Sequence, residues 1–310
     1  MPNVLARGLQ IEYESLGDPA APTIVLIMGL GMQLVSWPDA FCNALVERGF
    51  RVIRFDNRDA GLSTRLRVHK RPGLLPTLLR AACGLKPRVP YTLEDMAADT
   101  VALLDALGIE RAHIVGASMG GMIAQLVAAH YPQRVLSLVS IMSSSGNPRL
   151  SRPKVHAARA LLSRPAEPGN PESVIEHLIG VFGVVGSPGF PYERDALRRH
   201  VAAAVHRAWH PAGTVNQLLA VIASGDRRHV LRQIRVPTLV IHGDADPLVP
   251  LEAGRDTARH ITGAQLQIIA GMGHDLAPGV QPLLVEAIAR HCSGAAGFAP
   301  AVRAATAVRS

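Results

Sequence analysis

The six residues Gly116 to Gly121, GASMGG, decide how this 310-residue chain is read. RAHIV (111–115) precedes them and MIAQLVAAH (122–130) follows. The first is short and rich in β-branched residues, while the second has helical length and spacing, so the chain turns from strand to helix within GASMGG. So sharp a turn crowds the residues flanking its apex, which glycine tolerates, and forces the apex residue into the open in a strained conformation. The apex is Ser118, and Gly116 to Gly120 fits the pattern G-x-S-x-G. Ser118 is then either a nucleophile presented at the head of a helix or a small residue in a turn where small residues fit.

The flanking elements supply the context. GLQIEYES (8–15), TIVLIMG (23–29), RVIRFD (51–56), AHIVGAS (112–118) and VLSLVSIMS (135–143) read as strands, and the near-continuous Val, Ile and Leu of the later ones predicts a sheet covered on both faces. TLEDMAADTVALLDAL (92–107) reads as a helix with Thr92 and Asp95 at its cap and Gly108 as its stop. Strand and helix in alternation predict an α/β fold with a mostly parallel central sheet. The alternation breaks between residues 145 and 234, where SSSGNPRLSRP, SRPAEPGNPES and VVGSPGFPYE punctuate helix-like segments such as ALRRHVAAAVHRAW (196–209). We expect an inserted helical cap there. Strands return at TLVIHGD (238–244) and LQIIAG (266–271), and a last helix is expected from about Pro278 to His291. The expected organisation is core over 1–144, cap over 145–234, core over 235–292, and a flexible small-residue tail over 293–310.

A serine hydroxyl is a weak nucleophile until a histidine accepts its proton and an acid fixes that histidine's tautomer. HGDADPLVP (242–250) follows one late strand and AGMGHDLAP (270–278) follows the next. In a parallel sheet such loops gather at one edge with the Ser118 turn, so Asp246 and His274 would project beside it. Asp244 competes for the acid role and His242 for the base, but Asp246 lies farther into its loop and His274 follows the acid. The order Ser118, Asp246, His274 is that of one serine-hydrolase architecture and of no other common one. Backbone N–H groups of Met119, at the head of the following helix, and of Leu30 or Gly29, in MGLGMQLVSWP (28–38), are the candidate oxyanion donors.

With these motifs, and with DNRDAGLST (56–64), the chain resembles the α/β-hydrolase fold family over nearly its whole length. Asp59-Ala60-Gly61 departs from the family's commoner loop, in which Asp56 and Arg58 are expected anchors. The Met28-Gly29 start of the oxyanion loop and the following WPDAF (37–41) resemble hydrolases of the bacterial aclacinomycin methylesterase type. That resemblance implies a serine esterase needing neither metal nor cofactor, acting on a small-molecule ester, such as the methyl ester of a bulky hydrophobic acid. Thioesterase, lactonase, C–C hydrolase and cofactor-free perhydrolase activities use the same triad, and a ligand receptor or scaffold with little turnover is the alternative of another class. In the cap, Phe182, Phe190, Tyr192 and Trp209 are candidates for its own core or for the substrate wall.

Bulk properties agree with a globular enzyme. The chain is 48% hydrophobic, and no apolar run approaches the roughly 20 residues that span a bilayer. No signal-peptide pattern marks the start, so the cytoplasm is expected. Cys42, Cys83 and Cys292 lie too far apart in sequence for a CxxC pair. The net charge of +8 includes a patch from Arg65 to Arg88 with seven Lys or Arg and no acid. With 4% aromatics and no nucleic-acid module, no DNA or RNA partner is expected; the patch reads as a solvated surface insertion that could still attract an anionic substrate or an acyl carrier protein.

Overall fold

The computed structural model describes residues 2–150 and 152–295. The chain begins with β1 (Asn3–Ala6), β2 (Leu9–Leu16), β3 (Thr23–Ile27), α1 (Asp39–Val46), β4 (Arg51–Phe55), α2 (Leu74–Ala82) and α3 (Leu93–Ala106). It continues through β5 (Ala112–Ala117), α4 (Met119–His130) and β6 (Val135–Ile141). Five helices follow before the sheet resumes: α5 (Val155–Leu162), α6 (Pro171–Val185), α7 (Arg194–Arg207), α8 (Pro211–Ser224) and α9 (Arg228–Leu231). The last elements are β7 (Thr238–Gly243), α10 (Leu251–Arg259), β8 (Gln265–Ile269) and α11 (Gln281–Ala295).

The eight strands form one sheet in the order β1-β2-β4-β3-β5-β6-β7-β8. The first two pairings are antiparallel and every later one is parallel. Every residue of β3, β5 and β7 is buried, as their unbroken apolar runs require. Alternate residues divide between two cores: Val25 and Ile27 face α3 and α4, while Ile24 and Leu26 face α1 and α11. Thr92 caps α3 as expected, its hydroxyl accepting the Asp95 N–H while the Asp95 carboxylate accepts the Thr92 N–H.

Several elements differ from the sequence reading, β1, α2 and α11 among them. Strand β1 has no counterpart in the sequence pattern, because four residues at the sheet's rim, mostly exposed or half-buried, leave little periodicity. Helix α11 starts at Gln281 rather than Pro278, because Pro278 and Gly279 form a turn closed by the Val280 N–H on Ala277 O, and it runs on to Ala295. The rest of the expected flexible tail lies outside the described residues.

Helices α6 and α7 enclose a small core of their own, built on Val174, Ile175, Leu197, Val201 and Val205. Phe182, Tyr192 and Trp209 pack against it, and Phe190 packs against the main core, so all four of these aromatics serve packing. Asp56 accepts the Leu34 and Leu62 N–H groups, and Arg58 forms a two-pronged pair with Asp99 at 2.6 Å while lying over the Tyr91 ring. The loop after β4 is thus held from both sides.

Candidate active site

The turn between β5 and α4 puts Ser118 at φ 56°, ψ −120°, one of four non-glycine residues with positive φ among those described. Such a conformation costs on the order of 1–3 kcal/mol and persists only where the surroundings enforce it. Here they do. The Ser118 N–H donates to Ile141 O at 2.9 Å, and its carbonyl accepts from the Ser143 hydroxyl and from the N–H groups of Gly121 and Met122. The flanking glycines are demanded by space: a Cβ on Gly116 would stand 2.1 Å from Gly120 O, and one on Gly120 would stand 2.0 Å from Ile27 O.

The loops after β7 and β8 bring Asp246 and His274 to this turn. Ser118 Oγ lies 2.9 Å from His274 Nε2, and His274 Nδ1 lies 2.7 Å from Asp246 Oδ2. An ionised carboxylate only accepts, so Nδ1 carries the proton and donates it to Asp246, which leaves the Nε2 lone pair to receive the Ser118 hydroxyl hydrogen. The second oxygen, Asp246 Oδ1, accepts the N–H groups of Leu248 and Val249, each at 2.8 Å. These two backbone donors fix the carboxylate's plane.

The rival residues have other partners. Asp244 Oδ1 accepts the Gly271 N–H at 2.7 Å, bracing one loop against the other. His242 donates from Nε2 to Val249 O at 2.7 Å and lies 3.7 Å from Asp246. Burial, the largest influence on it, holds His242 below the ordinary imidazole range, so a neutral ring adjoins Asp246 near neutral pH.

Gly29 passes directly over the serine, since a Cβ there would lie 3.1 Å from Ser118 Cβ. The Met119 N–H, in the first turn of α4, has no carbonyl partner within its own helix. The N–H of Gly31 is taken by Gln217 Oε1 of α8 at 2.7 Å, which leaves Gly29 and Leu30 as the loop's candidate donors. An anionic oxygen bound above Ser118 would meet donors from two directions. Among the described residues, no group of three or more His, Cys, Asp or Glu side chains could hold a metal ion.

No local sequence pattern points to the props behind these loops. Gln217 Nε2 also donates to Arg58 O at 2.8 Å, so one amide of α8 ties the Gly31 turn to the loop after β4. Gln33 donates from Nε2 to Ala204 O and Ala208 O, both 2.6 Å, and its Oε1 accepts from Arg207. On the other side, the His274 backbone N–H donates to Val185 O at 2.7 Å, at the end of α6. Ser187 accepts the Gly273 N–H and donates to Asp275, a carboxyl that burial pushes above the ordinary range. Each prop joins segments far apart in sequence, so local patterning could not reveal it.

A model of the alpha/beta hydrolase fold matches residues 22–168. The chain is 31% identical over 302 residues to rhodomycin D methylesterase DnrP of Streptomyces peucetius, covering 91% of this chain and 94% of that protein. Rhodomycin D methylesterase DauP of Streptomyces sp. strain C5 is 31% identical over 304 residues, with the same shares covered. Among solved structures, an enol-lactonase from Burkholderia xenovorans LB400 superposes with a TM-score of 0.71 at 24% identity, over 94% of this chain and all of that one. The chain belongs to the α/β-hydrolase fold family. Within that family it resembles, along nearly its full length, the two methylesterases.

Proposed function

We propose that the chain is a serine hydrolase that cleaves a carboxylic ester through an acyl-enzyme on Ser118, and that its substrate is the methyl ester of a bulky hydrophobic acid. The observation that carries this reading is the continuous hydrogen-bonded line from Ser118 Oγ through His274 to Asp246. Ser118 Oγ attacks the ester carbonyl carbon while His274 Nε2 takes the hydroxyl proton. The carbonyl oxygen becomes an oxyanion held by the N–H groups of Met119 and of Leu30 or Gly29. Collapse breaks the bond to the alkoxy group, which leaves as alcohol with the proton from His274. Water then attacks the acyl carbon, gives its proton to His274, and releases the carboxylic acid and a free Ser118. No metal or cofactor enters these steps. Likeness to the methylesterases supports the choice of a methyl ester.

The test is a panel of methyl and p-nitrophenyl esters graded by acyl bulk, run on the parent and on Ser118→Ala. The parent should hydrolyse them with a preference for bulky apolar acyl groups, and Ser118→Ala should lose on the order of 10⁴-fold or more in rate. Equal rates for the two proteins would end the proposal, and a parent inert across the panel would favour a binding role.

A further inference from the structure

The basic stretch after β4 carries a second surface. Residues 65–88 hold Arg65, Arg67, Lys70, Arg71, Arg80, Lys86 and Arg88 and no acid, and all seven side chains are exposed. Within the stretch, α2 turns the wrong face outward for a helix of a water-soluble core. Leu75, Leu78 and Leu79, at the i, i+3 and i+4 spacing of one helical face, are 67%, 45% and 58% exposed, and Leu85 just beyond is 54% exposed. The only fully buried residue of the helix is Thr77. Scattered exposed leucines are ordinary on a protein surface, but three on one helical face, within a stretch of seven exposed cations and no acid, mark an interaction site.

Two features together select the partner. An acidic protein would match the cations, yet a leucine face needs an apolar medium as well. A lipid surface offers both, with phosphates at the depth of the cations and acyl chains just beneath. We propose that residues 65–88 dock on an anionic lipid surface, with Leu75, Leu78 and Leu79 entering the headgroup boundary and the surrounding Lys and Arg meeting lipid phosphates. The docked face adjoins the candidate site. Helix α2 packs on α8, Arg71 Nε donates to Asn216 Oδ1 of α8 at 2.7 Å, and the neighbouring Gln217 holds the loop that passes over Ser118. Docking would therefore bring the catalytic edge near a membrane, where hydrophobic esters concentrate.

The experiment is co-sedimentation of the full chain with vesicles of phosphatidylcholine, either pure or containing about 30% phosphatidylglycerol. Two variants accompany it, Leu75→Ser/Leu79→Ser and Lys70→Gln/Arg80→Gln/Lys86→Gln. The parent should bind the anionic vesicles and not the neutral ones, and should be released as salt rises from about 0.1 M to about 1 M. Each cation near an anionic surface contributes about fivefold, so the triple variant should partition on the order of a hundredfold less. The leucine variant should lose at least about tenfold. All five positions are exposed, so melting temperature and p-nitrophenyl acetate hydrolysis should match the parent. A parent that stays in the supernatant overturns the proposal, whether or not it binds an acidic acyl carrier protein instead. So does a leucine variant that binds like the parent, because adsorption would then be charge alone. Binding is read without turnover, so this result is separate from the ester reading.

Discussion

Asp246→Asn tests the geometry of the site with a change of one atom. The N–H groups of Leu248 and Val249 both point at Oδ1, each at 2.8 Å, and both are donors. An asparagine must therefore keep its carbonyl oxygen there and turn its NH₂ toward His274 Nδ1, which lies 2.7 Å from the position of Oδ2. An amide donor facing Nδ1 forces that nitrogen to accept and moves the ring proton to Nε2, the atom 2.9 Å from Ser118 Oγ. The imidazole then offers the serine a hydrogen instead of a lone pair. Flipping the amide would instead place an NH₂ against two backbone N–H groups in a buried site, at a cost of about 1–3 kcal/mol for the donors left unpaired. We expect kcat on a p-nitrophenyl ester to fall on the order of 10⁴-fold, about 5.5 kcal/mol of barrier, with KM nearly unchanged. The fold should survive, because the shape is conserved. A variant retaining more than about a tenth of the parent kcat would refute the tautomer argument.

Gln217→Leu leaves the Gly31 N–H and Arg58 O without their partner and frees the loop over Ser118. We expect a loss of about 1–3 kcal/mol in urea stability and a fall on the order of tenfold to a hundredfold in kcat; a variant less stable but equally fast would show that the amide only supports the fold. Gly120→Ala drives a methyl to 2.0 Å from Ile27 O, and since backbone cannot step aside cheaply, the protein should lose both stability and activity, read by thermal melting and ester hydrolysis. His113 is fully buried, and burial, with smaller help from His291 and Arg111, pushes it down to about 4. Below its unfolded value of about 6.5 the unfolded chain takes a proton that the folded one refuses, so stability is whole above that pH and falls by up to about 3 kcal/mol as pH drops toward 4. Urea midpoints at neutral pH and near pH 4.5 should therefore draw apart less in His113→Gln than in the parent, and an equal separation would contradict it.

The sequence was most informative where burial on both sides of the sheet imposes a pattern. β3, β5 and β7 are legible because every side chain in them is enclosed, and in a parallel sheet the loops after β5, β7 and β8 are expected at one edge, with Ser118, Asp246 and His274 on them. α2 is illegible for the opposite reason: its leucines do not face the core, so their spacing carries no core signal. The props behind the site were equally silent. A glutamine at 217 or a serine at 187 looks like any polar residue of a helix or loop until the fold brings it beside Gly31 or Gly273.

If Ser118 is a nucleophile activated by His274, a covalent probe of serine nucleophiles should find it and should depend on the histidine. The parent and His274→Ala would be exposed to a fluorophosphonate at neutral pH, digested, and mapped by mass spectrometry. One adduct should form in the parent, on Ser118, at a rate that drops on the order of 10³-fold or more without His274. An unlabelled parent, an adduct on another residue, or labelling of Ser118 that proceeds equally fast in His274→Ala would contradict it.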